Sequence, residues 1–235
     1  QAIVLDAIRT HGALSRTEVA ARTNLSQPTV SGIVAELIDA GLLYILTNAD
    51  GAEDYKIVTA PCDAPGHENW VDLVTHQPGV LILDMIVLAH HLIRLERVEG
   101  LPRIVVRSFD TGVEWTVKFD EEAYALGMEA GYEFDTTMIR VAYSSPTTPE
   151  RIYDLDLITG ARVLRKEQEV PSGHNPADYV TRRIFATAPD GELVPVTLLH
   201  HVTTPIDGTA PALLYGYGAY GHSLPASFSV SALSL

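Results

Sequence analysis

Residues 212–221 read Ala-Leu-Leu-Tyr-Gly-Tyr-Gly-Ala-Tyr-Gly, an apolar run that enters a glycine-aromatic loop. Such a loop brings backbone amides and tyrosine hydroxyls close to a reacting group. Residues 216–221 also spell G-x-G-x-x-G. A dinucleotide site would need a helix to open there and an acid about 20 residues on. Instead His222-Ser223-Leu224-Pro225 follows, with a proline that discourages helix. No G-x-S-x-G run, the mark of a nucleophile elbow, occurs in the chain; Gly221-His222-Ser223-Leu224-Pro225 ends in the wrong residue. The pairs His90-His91 and His200-His201 invite a metal reading. Adjacent strand residues point to opposite faces, so neither pair closes on one ion, and surface or edge histidines are expected. No metal and no cofactor is called for. The run Asp120-Glu121-Glu122 reads as solvated loop charge.

A second constellation sits near the start. Ile3, Val4, Ala7 and Ile8 form a helical apolar face, and Ser15-Arg16-Thr17-Glu18 fits a capping box. Ser26 is a second N-cap with Pro28 in the first turn. Val30, Ile33, Val34, Leu37 and Ile38 then recur at helical spacing up to Gly41. Three short helices over residues 1–43 resemble the helix-turn-helix of ROK- and MarR-type winged-helix repressors. Gln27, Thr29 and Ser31 would face base edges. The charge argues the other way. Up to residue 44 three arginines stand against four acids, and the hairpin that would form the wing carries Asp50, Glu53 and Asp54. With a net charge of −14 over 235 residues, the whole chain repels phosphate backbones.

Cys62 is the sole cysteine, which excludes an internal disulfide and suits a reducing cytoplasm. The most apolar stretch, residues 80–89, is too short to span a bilayer and contains Asp84. From Tyr44 on, alternating runs of Val, Ile, Leu and Tyr are cut by turns such as Asp110-Thr111-Gly112 and Ile158-Thr159-Gly160. Leu92-Ile93-Arg94-Leu95 is echoed by Met138-Ile139-Arg140-Val141, Pro102 by Pro149, and Thr111-Gly112 by Thr159-Gly160, at separations of 46 to 48 residues. That period suggests propeller blades. Residues 44–170 have room for about three, fewer than the roughly 4–8 of a closed propeller, so open edges and self-association are expected. Residues 170–176 read as a linker. Strands are expected at 179–188 and 193–202 around Pro189-Asp190-Gly191, and a third, more buried strand at 211–215. The fold class is therefore mixed: a helix-turn-helix (1–43), an antiparallel partial propeller (44–170), and the first strands of an α/β domain (171–235).

Residues 44–235 resemble the oligopeptidase B branch of the prolyl oligopeptidase family. The resemblance rests on residues 44–48, 101–105, 132–135 and 165–170, on Tyr143-Ser144-Ser145, and on Leu214 to Gly221. It implies the last blades of a propeller, followed by the opening of an α/β-hydrolase domain. It also implies a cytosolic serine peptidase that cuts short peptides after Arg or Lys. Tyr215 matches the family tyrosine whose hydroxyl helps bind the oxyanion of the tetrahedral intermediate. The family's Ser, Asp and His, and its acidic specificity pocket, would fall beyond Leu235, so these residues alone are expected to be inactive. The alternative expectation is a winged-helix regulator with a β-rich sensor or dimerisation body.

Overall fold

A computed structural model describes residues 41–219 and 221–234. The chain divides into two compact units, residues 1–76 and 77–235. In the first, β1 (Leu42–Thr47), β2 (Lys56–Pro61) and β3 (Val71–Val74) form an antiparallel sheet in that order. Central β2 buries Ile57, Val58 and Ala60. The β1–β2 turn is tied down by charge: the Asp50 carboxylate accepts from Lys56 Nζ at 3.1 Å and lies 3.2 Å from His67 Nε2. The expected wing hairpin thus exists as strands, but inside a three-stranded sheet. The helix-turn-helix, with Gln27, Thr29 and Ser31, falls on residues 1–40 and lies outside the described residues.

The second unit opens with two four-stranded antiparallel meanders. The first is β4 (Val80–Val87), β5 (His91–Val98), β6 (Leu101–Ser108) and β7 (Glu114–Thr116). The second is β8 (Ala125–Glu129), β9 (Met138–Ser144), β10 (Arg151–Asp156) and β11 (Arg162–Glu167). The repeat seen in the sequence is the repeat of these sheets. Ile93 and Ile139 are buried on the second strand of each. Gly112 and Gly160 occupy the same left-handed position, φ 69° and 72°, in the turns before the fourth strands. In each turn the glycine amide donates to the last residue of the third strand, Ser108 or Asp156, at 2.9 Å. Each threonine hydroxyl accepts from the amide two residues on.

One core joins the two meanders. Ile86, Ile93, Ile104 and Val106 from the first pack with Ile139, Val141 and Leu155 from the second. Strand β5 is buried on both faces, including Arg94 and Glu96. These two stay inside because their charges are answered: Arg94 Nε donates to Glu96 at 2.8 Å and its Nη atoms to Glu114 at 3.0 Å, while Arg103 closes on Glu96 at 2.7 Å.

After β11, a 3-10 turn at Pro176–Asp178, capped by the Asn175 side chain, leads into the hairpin β12 (Tyr179–Thr187) and β13 (Leu193–His201). Both strands lie within one residue of their expected bounds. A four-residue helix, α1 (Val230–Leu233), lies near the end. The expected strand at 211–215 is absent, and Leu213 and Leu214 are 74% and 88% exposed. An apolar run becomes a strand only where a neighbouring ladder takes its backbone groups, and among the described residues none does.

Gly112 has open space where a Cβ would go, so its requirement is purely one of backbone conformation. Gly112→Ala is expected to cost about 1–2 kcal/mol, measured as a lower urea midpoint at unchanged slope. An unchanged midpoint would show that the turn does not depend on the left-handed glycine.

Candidate active-site loop and the contacts that hold it

The glycine-aromatic loop follows β13 and is presented to solvent. Tyr215 is 77% exposed, and Gly216 and Gly218 have open space around the Cβ position. Gly221 uses its freedom, at φ 69°. Ala219 O accepts from His222 N at 3.1 Å, and the Tyr217 and His222 rings meet edge to face at 6.3 Å. No helix opens at residue 221, so the G-x-G-x-x-G run lacks the amide cluster a pyrophosphate would need.

The histidine pairs part as the pleat requires, with one correction. His90 is exposed beside Asp110, at 3.3 Å, but His91 is buried at the head of β5. Burial pushes the His91 imidazole below its ordinary pKa, with the neighbouring His90 adding to the effect, so it is neutral at pH 7. His200 and His201 bond locally, to the His201 carbonyl and to Thr203 Oγ1. Among the described residues no cluster has the donors to hold a metal ion.

The acid run departs furthest from expectation. Asp120 is exposed, but the Glu121 carboxylate turns inward and accepts from four hydroxyls. Tyr143 Oη and Thr148 Oγ1 each lie at 2.7 Å, Thr147 Oγ1 at 2.8 Å, and Ser145 Oγ also donates. Burial presses the Glu121 pKa upward, but the four donors outweigh it and hold the carboxyl below the usual glutamate range. Burial and the same bond push the Tyr143 phenol up, so it remains a donor. Glu122 reaches the other way: it accepts from Arg182 Nη1 and from the Arg183 backbone amide, both at 2.9 Å, fastening β12 to the segment before β8. Sequence reasoning missed both acids. The available signal was the hydroxyl-rich run Tyr143-Ser144-Ser145-Pro146-Thr147-Thr148, which needs an acceptor.

Paired four-stranded meanders with a shared core and a period near 47 residues define a protein built on β-propeller blades. Residues 18–168 match the family described as the prolyl oligopeptidase N-terminal beta-propeller domain. The chain belongs to the prolyl oligopeptidase family. It is 40% identical over 192 residues to dipeptidyl aminopeptidase BI of Pseudoxanthomonas mexicana, covering 81% of this chain and 26% of that protein. Protease 2 of Moraxella lacunata is 26% identical over 193 residues, 82% of this chain and 27% of that one. Oligopeptidase B from Leishmania major superposes with a TM-score of 0.75 at 30% identity, covering 82% of this chain and 28% of that structure. The chain therefore spans about a quarter of the length of these relatives. The propeller match begins inside the segment read as a helix-turn-helix, and the comparisons give that module, and the regulator reading built on it, no support. Among the described residues no helix is long and apolar enough to cross a membrane.

A carboxyl with a depressed folded pKa contributes stability that is fully present above its unfolded value, about 4.3, and is lost as pH falls through the folded value. Glu121→Gln is therefore expected to lower the urea midpoint at pH 7 and to flatten its decline between about pH 5 and 3. A mutant whose midpoint keeps the parent's acid slope would assign that slope to other carboxyls.

Proposed function

We propose that these residues belong to a serine oligopeptidase of the oligopeptidase B type, which hydrolyses short peptides after Arg or Lys in the cytoplasm. In this reading residues 44–170 are propeller and residues 171–235 open an α/β-hydrolase domain. The observation that carries it is the Gly-Tyr loop leaving β13, with Tyr215 unburied, in a chain whose fold matches oligopeptidase B structures at 30% and 31% identity. In the reaction a serine oxygen attacks the scissile carbonyl, and the carbonyl oxygen gains negative charge. The Tyr215 O–H donates to that oxyanion. A fixed donor of this kind lowers the barrier by roughly 3–4 kcal/mol, because the bond strengthens as the charge develops. The substrate's basic side chain is selected by acids outside residues 1–235. For residues 1–235 alone, whose meanders end in the edge strands β4, β7, β8 and β11, self-association is expected.

The 40% identity to a dipeptidyl aminopeptidase favours a second reading, in which dipeptides are released from a free amino end. Chromogenic dipeptidyl amides ending in Arg, with the amino end blocked or free, separate the two: the first reading expects turnover of the blocked substrate, the second only of the free one. In the intact peptidase, Tyr215→Phe is expected to lower kcat by about 10²–10³-fold with KM little changed. An unchanged kcat would overturn the oxyanion role. Residues 1–235 alone, without a nucleophile elbow, are expected to show no turnover; turnover titrated by a serine-directed inhibitor would overturn that assignment.

A further inference from the structure

A cavity of about 380 Å³ opens where the first meander meets β12. Its walls are the β5–β6 turn, the end of β7 with the segment after it, Tyr124 and Arg183. That volume lies at the low end of the roughly 300–1,000 Å³ of small-molecule sites. None of its lining belongs to the glycine-aromatic loop. Three cations line it, Arg103, Lys118 and Arg183, against one acid, Glu99. In a chain of net charge −14 this balance runs against the sign of the whole.

Two of the cations have part of their charge answered. Arg103 bonds to Glu96, which also serves Arg94. Arg183 donates to the Glu99 carbonyl, and the Glu99 carboxylate stands 4.0 Å from it at 68% exposure, where water screens it. Lys118 is exposed and, among the described residues, has no hydrogen bond or ion pair. Tyr124 supplies an independent signal. It is only 8% exposed and touches the rings of Phe119 and Tyr143. The Tyr143 hydroxyl donates to Glu121, but the Tyr124 hydroxyl has no partner among the described residues. Burial raises the Tyr124 phenol pKa and the Arg183 charge opposes that rise, so the hydroxyl lies within the field of this cation. A buried hydroxyl without a partner costs stability, and a ligand oxygen would supply what is missing.

We propose that this cavity binds a small organic carboxylate, its oxygens held by Lys118, Arg183 and the Tyr124 hydroxyl and its apolar body laid against Phe119. Bonds from charged donors in a cleft with apolar walls are stronger than the same bonds in open water. Arg103, occupied by Glu96, contributes field rather than a bond. Two sources share this chemistry: a simple aromatic or aliphatic acid, and the carboxyl end of a short peptide.

The test titrates the 235-residue chain with 3-phenylpropionate, N-acetylphenylalanine and the neutral 3-phenylpropionamide, followed by ligand-observed NMR. At least one carboxylate is expected to saturate with a Kd of about 1 mM or tighter, and the amide to bind about tenfold more weakly or worse. Lys118→Met, which keeps the aliphatic stem, should weaken carboxylate binding about tenfold. Tyr124→Phe should weaken it roughly three- to tenfold, while its urea midpoint equals or exceeds the parent's, because the hydroxyl has no partner to lose. Preference for N-acetylphenylalanine would name a peptide end and preference for phenylpropionate a simple acid; either supports the site. Equal binding of the amide, unchanged affinity in Lys118→Met, or no saturation by either carboxylate at about 10 mM overturns it. A lower midpoint in Tyr124→Phe would give the hydroxyl a partner within the chain and overturn its part in the site.

Discussion

A half-buried carboxylate held by hydroxyls fixes the connections of the second unit. Glu121 accepts from four hydroxyls, and each of those hydroxyls belongs to β9 or the turn after it. The acid therefore orders the turn that delivers the Thr147 carbonyl to His174. One residue on, Glu122 pins β12 through a side chain and a backbone amide. Two adjacent acids thus point in opposite directions, one holding a blade turn and the other the strand that follows the blades. Without an acceptor at 121, the hydroxyls of Tyr143, Ser145, Thr147 and Thr148 would be left to satisfy one another in a space that burial has closed to water.

The repeat was legible because it is written in local chemistry. Thr-Gly before a fourth strand names a left-handed turn, and Ile93 and Ile139 stand at the same place on paired second strands. The hairpin β12–β13 was legible for the same reason, from Pro189-Asp190-Gly191 between two alternating runs. What failed depended on distant partners. The donors to Glu121 lie 22 to 27 residues away, so its run of charge looked like solvent-facing loop. Residues 211–215 are apolar enough for a buried strand, but the ladder that would pair with them is a separate matter from their composition. His91 was misplaced although the pleat rule was right: opposite faces separated the two histidines, but one of those faces is core. Of the candidate site, the loop and Tyr215 were legible as a motif; the contacts of Glu121 and Glu122 were not, because their donors share no pattern with the acids.

The hairpin and the loop after it differ in physical character from the meanders. Ile184, Val194 and Leu198 lie on one face of β12–β13 and remain about half exposed, whereas the opposite face meets the meander through Arg183 and through Pro195 against Gly100. Arg182, on the first face, adds its bond to Glu122, so the ribbon is held by scattered contacts rather than by a buried face. Its position is set by charge and by a glycine that leaves room for a proline ring, not by a core of its own.

The core under β4–β11 is held in common, with buried residues of both meanders in one cluster. This bears on how such a chain can lengthen or shorten over evolutionary time. An added copy of the module finds a greasy seat already cut for it by its neighbour. Deleting one exposes the flank of the module next door, so loss is penalised twice while gain is half prepared. Inheritance by whole modules, with the joints left unaltered, is what that asymmetry favours.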